Sequence, residues 1–388
     1  MNILAIETSC DETAIAILTR KGNHCTLHAH QVASQIALHT QYGGVFPMMA
    51  KREHSRNIVP LFLETLKEAG VFTESKKSSG WKTRTVAKIT KLLEREPEML
   101  ELFLKEIPRL QKPKIDRITV TVGPGLEPAL WVGINFAKAL SYVWGIPLVP
   151  VNHMEGHVLS IFPQESKTEF TITKMATPAI SLLVSGGHTE LVLVKGVGKY
   201  SVVGKTLDDA AGEAFDKVAR MLGLPYPGGP EISRLAESIR DSISHGEIKK
   251  TITLPRPMIH SDNLDFSFSG LKTAVLYLIK KLGDLNEATK KEIACEFENS
   301  AIEVLVTKTM KAVKKYKAKS VIVGGGVSAN KHLRIVLTRA CKEYGIEATF
   351  PTKTLTTDNA IMIGIAGSFG KKVRSTSKKL LASGNMSL

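Results

Sequence analysis

The most chemically pointed feature of this sequence is a pair of imidazoles four residues apart, His153 and His157 in Asn152-His153-Met154-Glu155-Gly156-His157. On a helix that spacing puts both rings on one side, a turn apart, where they can share one transition-metal ion. Glu155 points to the opposite side. The pattern is therefore not H-E-x-x-H, in which the Glu after the first His serves as a metalloprotease base. Two histidines do not close a site. A third ligand has to come from far away in the chain, and open positions remain for water or substrate. The plain alternative is two ordinary surface or core histidines. The stretch Gly145–Val151 reads as the strand that delivers them, and the carboxyl end of a strand is where α/β folds place ligands.

The elements around this pair suggest a phosphate-bearing ligand. Residues 3–6 read as a buried strand, Glu7-Thr8-Ser9-Cys10-Asp11-Glu12-Thr13 as a polar turn, and Ala14–Leu18 as a second strand. Carboxylates in such a turn can hold a metal or its waters, while hydroxyls and amides can hold phosphate oxygens. A plain hairpin turn is the alternative. The plan recurs later. Ala179–Val184 is a strand, Ser185-Gly186-Gly187-His188-Thr189 a turn, and Glu190–Val194 a strand. Two such units are what a duplicated, two-lobed nucleotide-binding fold requires. The glycines let the backbone approach phosphates, and Ser185, His188 and Thr189 supply side-chain partners. Gly123-Pro124-Gly125 and Gly324-Gly325-Gly326 each lie between a strand and a helix. The second suits an adenine stacked on backbone, with Asn330 bonding base or ribose. It is not G-x-G-x-x-G, which disfavours a dinucleotide fold.

The string Ile6–Thr13 resembles the signature of the TsaD/Kae/Gcp family, once labelled glycoproteases, whose members form threonylcarbamoyl-adenosine in tRNA. Further matches follow at Tyr42–Pro47, Gly123–Leu126, Thr206–Lys217, Tyr226–Pro230 and Phe266–Thr273, with Glu127-Pro128 departing from the small residues usual after G-P-G-L. The resemblance implies an actin-like (ASKHA) duplicated two-lobed α/β fold with the nucleotide and metal site in the interlobe cleft. It implies an N-terminal lobe over 1–178, a C-terminal lobe over 179–360, and a final helix, 361–388, returning to the first lobe and ending in a basic tail. The implied reaction moves threonylcarbamoyl from threonylcarbamoyl-AMP to the exocyclic amine of the adenosine 3′ of the anticodon, releasing AMP. Substrate-binding residues implied are Leu183, Val184, Ser185, Gly186, Gly187, Asp216, Gly229 and Asn330. Asp358 is the expected third metal ligand, its plain alternative being a helix N-cap. A carboxylate beside two imidazoles suits Fe2+, favoured by the resemblance, or Zn2+. Asp11, Glu12 and His188 are catalytic candidates, although no side chain stands out as general base. Implied partners are tRNA and, for a bacterial member, a paralogous actin-like subunit (TsaB-like) and a small ATPase (TsaE-like).

The 388 residues carry a net charge of +15 and 43% hydrophobic residues, with no apolar run of membrane-spanning length and no signal-peptide layout. A cytoplasmic protein with a polyanionic partner is expected. Cys10, Cys25, Cys295 and Cys341 are scattered, with no C-x-x-C pair, and read as free thiols. Basic residues gather at Lys51, Arg52, His54 and Arg56, on a long amphipathic helix entered through Pro47. They gather again in an expected insertion over 73–114, a basic linker followed by two short helices split at Pro97. Asp208 or Asp209 is expected to cap the helix carrying Asp216, Lys272 to meet phosphate or solvent, and Ser160–Thr177 to be a loop. The basic, Ser-rich tail from Lys371 is expected to be disordered at its end. The rival functions are a metal-dependent endopeptidase, a small-molecule kinase or ATPase of the same fold, and a non-catalytic scaffold. Magnesium-nucleotide enzymes prefer oxygen ligands, which weighs against the kinase.

Overall fold

The computed structural model describes residues 1–75, 81–162, 166, 168–247, 249–374, 377 and 380–388. Parts of the predicted basic linker (76–80), of the predicted 160–177 loop (163–165 and 167) and of the predicted tail (375, 376, 378 and 379) lie outside the described residues. The chain forms two compact units, one of Met1–Lys174 with Thr357–Leu388, the other of Met175–Thr356.

The first unit is built on strands β1 (Asn2–Glu7), β2 (Glu12–Lys21), β3 (His24–Ser34), β4 (Arg117–Gly123), β5 (Leu148–Asn152) and β6 (Glu169–Thr171), in the order β5-β4-β1-β2-β3-β6. β1, β2 and β3 form an antiparallel meander, and β4 and β5 add in parallel. The central strands are buried on both faces, which fits the apolar run of β1 and the buried Thr119 and Thr121 between the apolar residues of β4. Helices α1 (Ile36–Thr40), α2 (Pro47–Glu68), α3 (Thr83–Leu92), α4 (Pro97–Glu106), α5 (Glu127–Trp144) and α6 (His153–Leu159) follow in sequence, and a helix over Ala360–Phe369 belongs to the same unit. That last helix packs on β1, β2, β4 and α6. Its small residues are what let it do so. A Cβ at Gly364 would lie 2.3 Å from Leu18 Cδ2, and one at Gly367 would lie 2.2 Å from Thr119 Cγ2.

The second unit repeats the plan. Strands β7 (Ala179–Val184), β8 (Thr189–Gly196), β9 (Lys199–Lys205), β10 (Ser320–Gly324) and β11 (Glu347–Thr349) run in the order β11-β10-β7-β8-β9, again a meander with two parallel additions. Its helices are α7 (Ala211–Met221), α8 (Gly228–Ser244), α9 (Ser269–Leu282), α10 (Glu287–Tyr316) and α11 (Lys331–Glu343), so the Ala360–Phe369 helix is α12.

Several expectations are corrected. The 160–177 stretch contains β6, which pairs with β3 because Phe170 has a core position to fill. The two short helices expected in the 73–114 stretch are α3 and α4, and they belong to the core of the first unit, with Ile89, Leu93, Met99 and Phe103 fully buried and Phe103 edge-on to Phe136 of α5. The tail end is docked. Leu380 is buried, Ser383 N donates to Val122 O at 2.9 Å, and Gly125 N donates to Gly384 O at 3.2 Å.

Candidate functional site

In the first unit three potential ligand atoms converge. Asn152 ends β5 and caps α6, its Oδ1 accepting from Met154 N at 2.8 Å. The cap starts the helix one residue before the first imidazole. His153 Nε2 and His157 Nε2 then lie 3.1 Å apart, and Asp358 Oδ1 is 3.3 Å from the first and 3.2 Å from the second. These distances make a near-equilateral triangle. Its edges match those between neighbouring ligands around an ion bound at roughly 2.0–2.2 Å. Both rings are buried, and among the described residues this is a possible metal-binding group. Gly156 lets α6 lie close against α12. A Cβ there would sit 3.1 Å from Ile363 Cδ1 and Met362 Cγ of α12, a tight contact in which these side chains would have to give by a few tenths of an ångström. Asp358 is not that helix's cap. Asn359 is, accepting from Met362 N at 2.9 Å, which leaves the Asp358 carboxylate to the imidazoles.

A second layer orients the first. His153 Nδ1 donates to Glu7 Oε2 at 3.1 Å, and Glu7 also accepts from Thr121 Oγ1 at 2.6 Å and Ser9 N at 2.5 Å. With the proton on Nδ1, the Nε2 lone pair faces the convergence point. Burial opposes charge on His153, but Asp358 and Glu7 override it and hold the ring well above the usual imidazole range. Burial lowers His157. Burial alone would raise Asp358, yet the two imidazoles keep it below the usual carboxylate range. The carboxylates that favour a proton on His153 favour any other cation at the same point. The donor set, two imidazoles and one carboxylate, therefore fits a divalent transition metal.

Asp11 and Glu12 sit in the buried turn after β1. Burial, then the charges of Asp358 and Asp11, push Glu12 up to about 10. Burial also raises the Cys10 thiol well above its usual range. His54, expected on a basic face, is buried instead. Its Nε2 donates to Cys10 O at 2.9 Å, its Nδ1 accepts from Thr13 Oγ1 at 2.7 Å, and burial lowers it to about 4. Glu127 and Pro128 take the first two positions of α5, where a carboxylate meets the helix dipole and a proline lacks nothing it needs. The Gly123–Gly125 turn does not present free amides. Gly125 N is held by Gly384 O, and Leu126 N by Ser9 O at 2.7 Å.

In the second unit the turn after β7 is open. Gly186 and Gly187 are exposed, Ser185 and His188 half-buried, and His188 N donates to Ser185 Oγ at 3.1 Å. Leu183 and Val184, expected to bind substrate, are wholly buried at the end of β7 and expose neither side chain nor backbone to a ligand. Two other segments close on Ser185. A Cβ at Gly212, in the first turn of α7, would be 2.6 Å from Ser185 O, and one at Gly325 would be 3.2 Å from Ser185 Cβ. Asp216 is half-buried and ties down the next turn by accepting from Gly228 N at 2.7 Å. Burial raises its pKa. Gly186, Gly187, Gly229 and Gly326 have nothing within 4 Å of a built Cβ and no positive φ, so neither packing nor backbone conformation demands glycine at these four positions.

Three expected contacts are spent within this unit. The Asn330 side chain caps α11 through Leu333 N (2.8 Å) and donates to Glu298 Oε1 (2.6 Å) and Ser233 Oγ (2.9 Å). Lys272 pairs with Asp209 at 2.7 Å, and Asp209 also binds Lys217. Asp208 caps α9 rather than α7, accepting from Phe268 N and Ser269 N and from the hydroxyls of Ser267 and Ser269, and these bonds hold it below the usual carboxylate range against the effect of burial.

Comparison with known proteins decides the family. The protein-family model described as TsaD, tRNA N6-adenosine threonylcarbamoyltransferase, matches residues 26–75 and 90–365. The chain belongs to the TsaD family. The tRNA N6-adenosine threonylcarbamoyltransferase of Chromobacterium violaceum is 43% identical over 96% of this chain and 94% of its own length. That of Burkholderia vietnamiensis is 42% identical over 95% and 91%. Among solved structures, full-length HypF in its phosphate- and nucleotide-bound form superposes with a TM-score of 0.52 at 12% identity, covering 94% of this chain and 46% of HypF. The chain thus spans about half of HypF, and the likeness concerns the fold, which is of the expected actin-like α/β class. Within the family match the one interruption is residues 76–89, narrower than the insertion expected over 73–114.

Glu7, Thr121 and Ser9 are the supporting residues that spacing alone does not single out. Glu7 and Ser9 lie inside the Ile6–Thr13 string, but nothing in sequence ties them to His153 until β4 lies beside β1.

Proposed function

We propose that this chain transfers the threonylcarbamoyl group from threonylcarbamoyl-AMP to the exocyclic amine of the adenosine 3′ of the anticodon in tRNA. The amine nitrogen bonds to the carbamoyl carbon, the bond from that carbon to the phosphate oxygen breaks, AMP leaves and the amine loses a proton. The observation that carries the reading is the His153–His157–Asp358 triangle standing in a member of this family. A divalent ion there, Fe2+ in our reading and Zn2+ as the second choice, supplies Lewis acidity toward phosphate or carbamoyl oxygens. Glu7 orients His153, and Asp358 balances charge.

The open glycines of the second unit support the adenylate assignment. Gly186, Gly187, Gly229 and Gly326 are required by neither packing nor φ, so their bare backbone is explained by a ligand lying against it. Ser185 and His188 stand beside the first two, and Asp216 fixes the third. In this reading Asn330 acts by holding the Gly325–Asn330 turn in place, while Asp11, Glu12 and His188 stay candidates for proton handling. The net charge of +15 suits tRNA. No helix among the described residues is long and apolar enough to cross a membrane. We place the reaction in the cytoplasm, with TsaB-like and TsaE-like partners and no membrane.

The test is transfer of labelled threonine from preformed threonylcarbamoyl-AMP to unmodified tRNA, with and without such partners. Label on the anticodon-loop adenosine, lost in a His153→Ala/His157→Ala variant, is expected. Absence of label under every partner combination sinks the reading.

A further inference from the structure

Two basic stretches of the first unit meet different fates. On α2, Lys51 lies 3.6 Å from Glu96, Arg52 3.7 Å from Glu98, and Arg56 3.0 Å from Glu53 and 3.9 Å from Glu98. The acids at the start of α4 thus neutralise this face. Residues 81–95 carry five cations, Lys82, Arg84, Lys88, Lys91 and Arg95, against the single exposed acid Glu94. All five cations are exposed, and among the described residues none is in an ion pair. Arg84, Lys88 and Lys91 stand at i, i+4 and i+7, an arc of roughly 60° on the helix. The opposite side carries Ile89, with Leu93 just beyond the helix, both fully buried. Trp81 packs on Phe103 with ring centroids 5.8 Å apart, which fixes the approach to α3. The face is therefore rigidly mounted, aimed at solvent and without counter-charge. Residues 76–89, which include Arg84 and Lys88, fall outside the family match.

We propose that the outer face of α3 is a docking surface for tRNA phosphates. The inference rests on the transferase reading above and adds to it a place where this chain grips the RNA. Charge complementarity selects the occupant, because a row of cations outside any ion pair, with only the small Ala87 as an exposed apolar residue between them, suits a phosphate backbone and offers a protein partner little to bury. Such contacts add affinity without sequence preference.

The experiment measures tRNA affinity of the full chain across salt concentrations for wild type, Arg84→Ala/Lys88→Ala/Lys91→Ala and Glu94→Lys, with labelled-threonine transfer at saturating tRNA alongside. The triple variant is expected to bind on the order of tenfold or more weakly at about 0.1 M salt, with a salt slope shallower by about 2–3. Its transfer at saturation should be unchanged. Glu94→Lys should bind tighter with a steeper slope, a gain that misfolding cannot mimic. A wild type that labels tRNA while the triple variant keeps its affinity and slope overturns the α3 assignment and leaves the transferase standing. Intact tRNA binding with lost assembly with a TsaB-like subunit gives the face to a protein and also overturns it. A wild type that neither binds nor labels tRNA overturns both.

Discussion

The turn after β1 and the turn after β7 occupy the same place in two sheets of the same strand order, and they have become opposites. Glu7, Thr8, Ser9, Asp11 and Glu12 are all buried, and Glu7 and Ser9 contact His153. Ser185–His188 is open, with two glycines facing space. Topology supplies the same platform twice, and side chains decide its use. A turn filled with carboxylates and hydroxyls becomes the back wall of the proposed cation site. A turn stripped to glycine becomes a surface against which something can lie.

The largest expected effect separates the two at once. His153→Ala/His157→Ala should leave the purified protein without stoichiometric metal, measured by elemental analysis after gel filtration, while adenylate affinity of the second unit changes little. Equal loss of both would erase the division of labour. Next, Glu7→Gln should weaken metal affinity by about 10–100-fold through misorientation of His153, with the fold retained. Chelator competition reads this, and unchanged affinity would reduce Glu7 to a packing role.

Glycine substitutions sharpen the contrast further. At Gly125, φ is +153° and a Cβ would lie 2.5 Å from Ser9 O, so Gly125→Ala should cost about 1–3 kcal/mol or more in denaturant unfolding. Gly187→Ala should leave stability within about 0.5 kcal/mol of wild type and lower adenylate affinity instead. A destabilised Gly187→Ala would remove the argument that this glycine is there for a ligand.

The smallest effect concerns acid. His54 braces the first turn in neutral form, with its pKa lowered to about 4 from an ordinary 6.5. The unfolded chain takes up that proton first, so the contribution is complete above pH 6.5 and fades as pH falls toward 4. It amounts to no more than about 3 kcal/mol. His54→Asn should flatten this part of the stability profile of the metal-free protein. An unaltered profile would assign the acid sensitivity elsewhere.

Much of this was legible in the sequence. The apolar and β-branched stretches at 3–6, 118–122, 179–184 and 320–323 announce strands, and β1, β4, β7 and β10 lie there. The H-x-x-x-H spacing and Asp358 announce the triangle. What was hidden depends on neighbours that only the fold brings together. Lys51 and Arg56 look like part of a basic, solvated helix face until Glu96 and Glu98 arrive from α4. Asn330 looks free to meet a ligand until Glu298, 32 residues earlier, claims its amide. The segment 380–388 looks like a solvated tail until the Gly123–Gly125 turn offers it a carbonyl and an amide.

The discontinuity of the first unit has a consequence in time. About 200 residues separate His157 from Asp358, and the whole second unit lies between them. At roughly 5–20 residues per second, the two histidines leave the ribosome some 10–40 s before the aspartate that completes their triangle. During that interval the sheet face that α12 later covers has no lid. Newborn chains therefore acquire the three-ligand centre as one of the last events of their synthesis, and a chain stopped before Asp358 carries both imidazoles and the entire second unit without it.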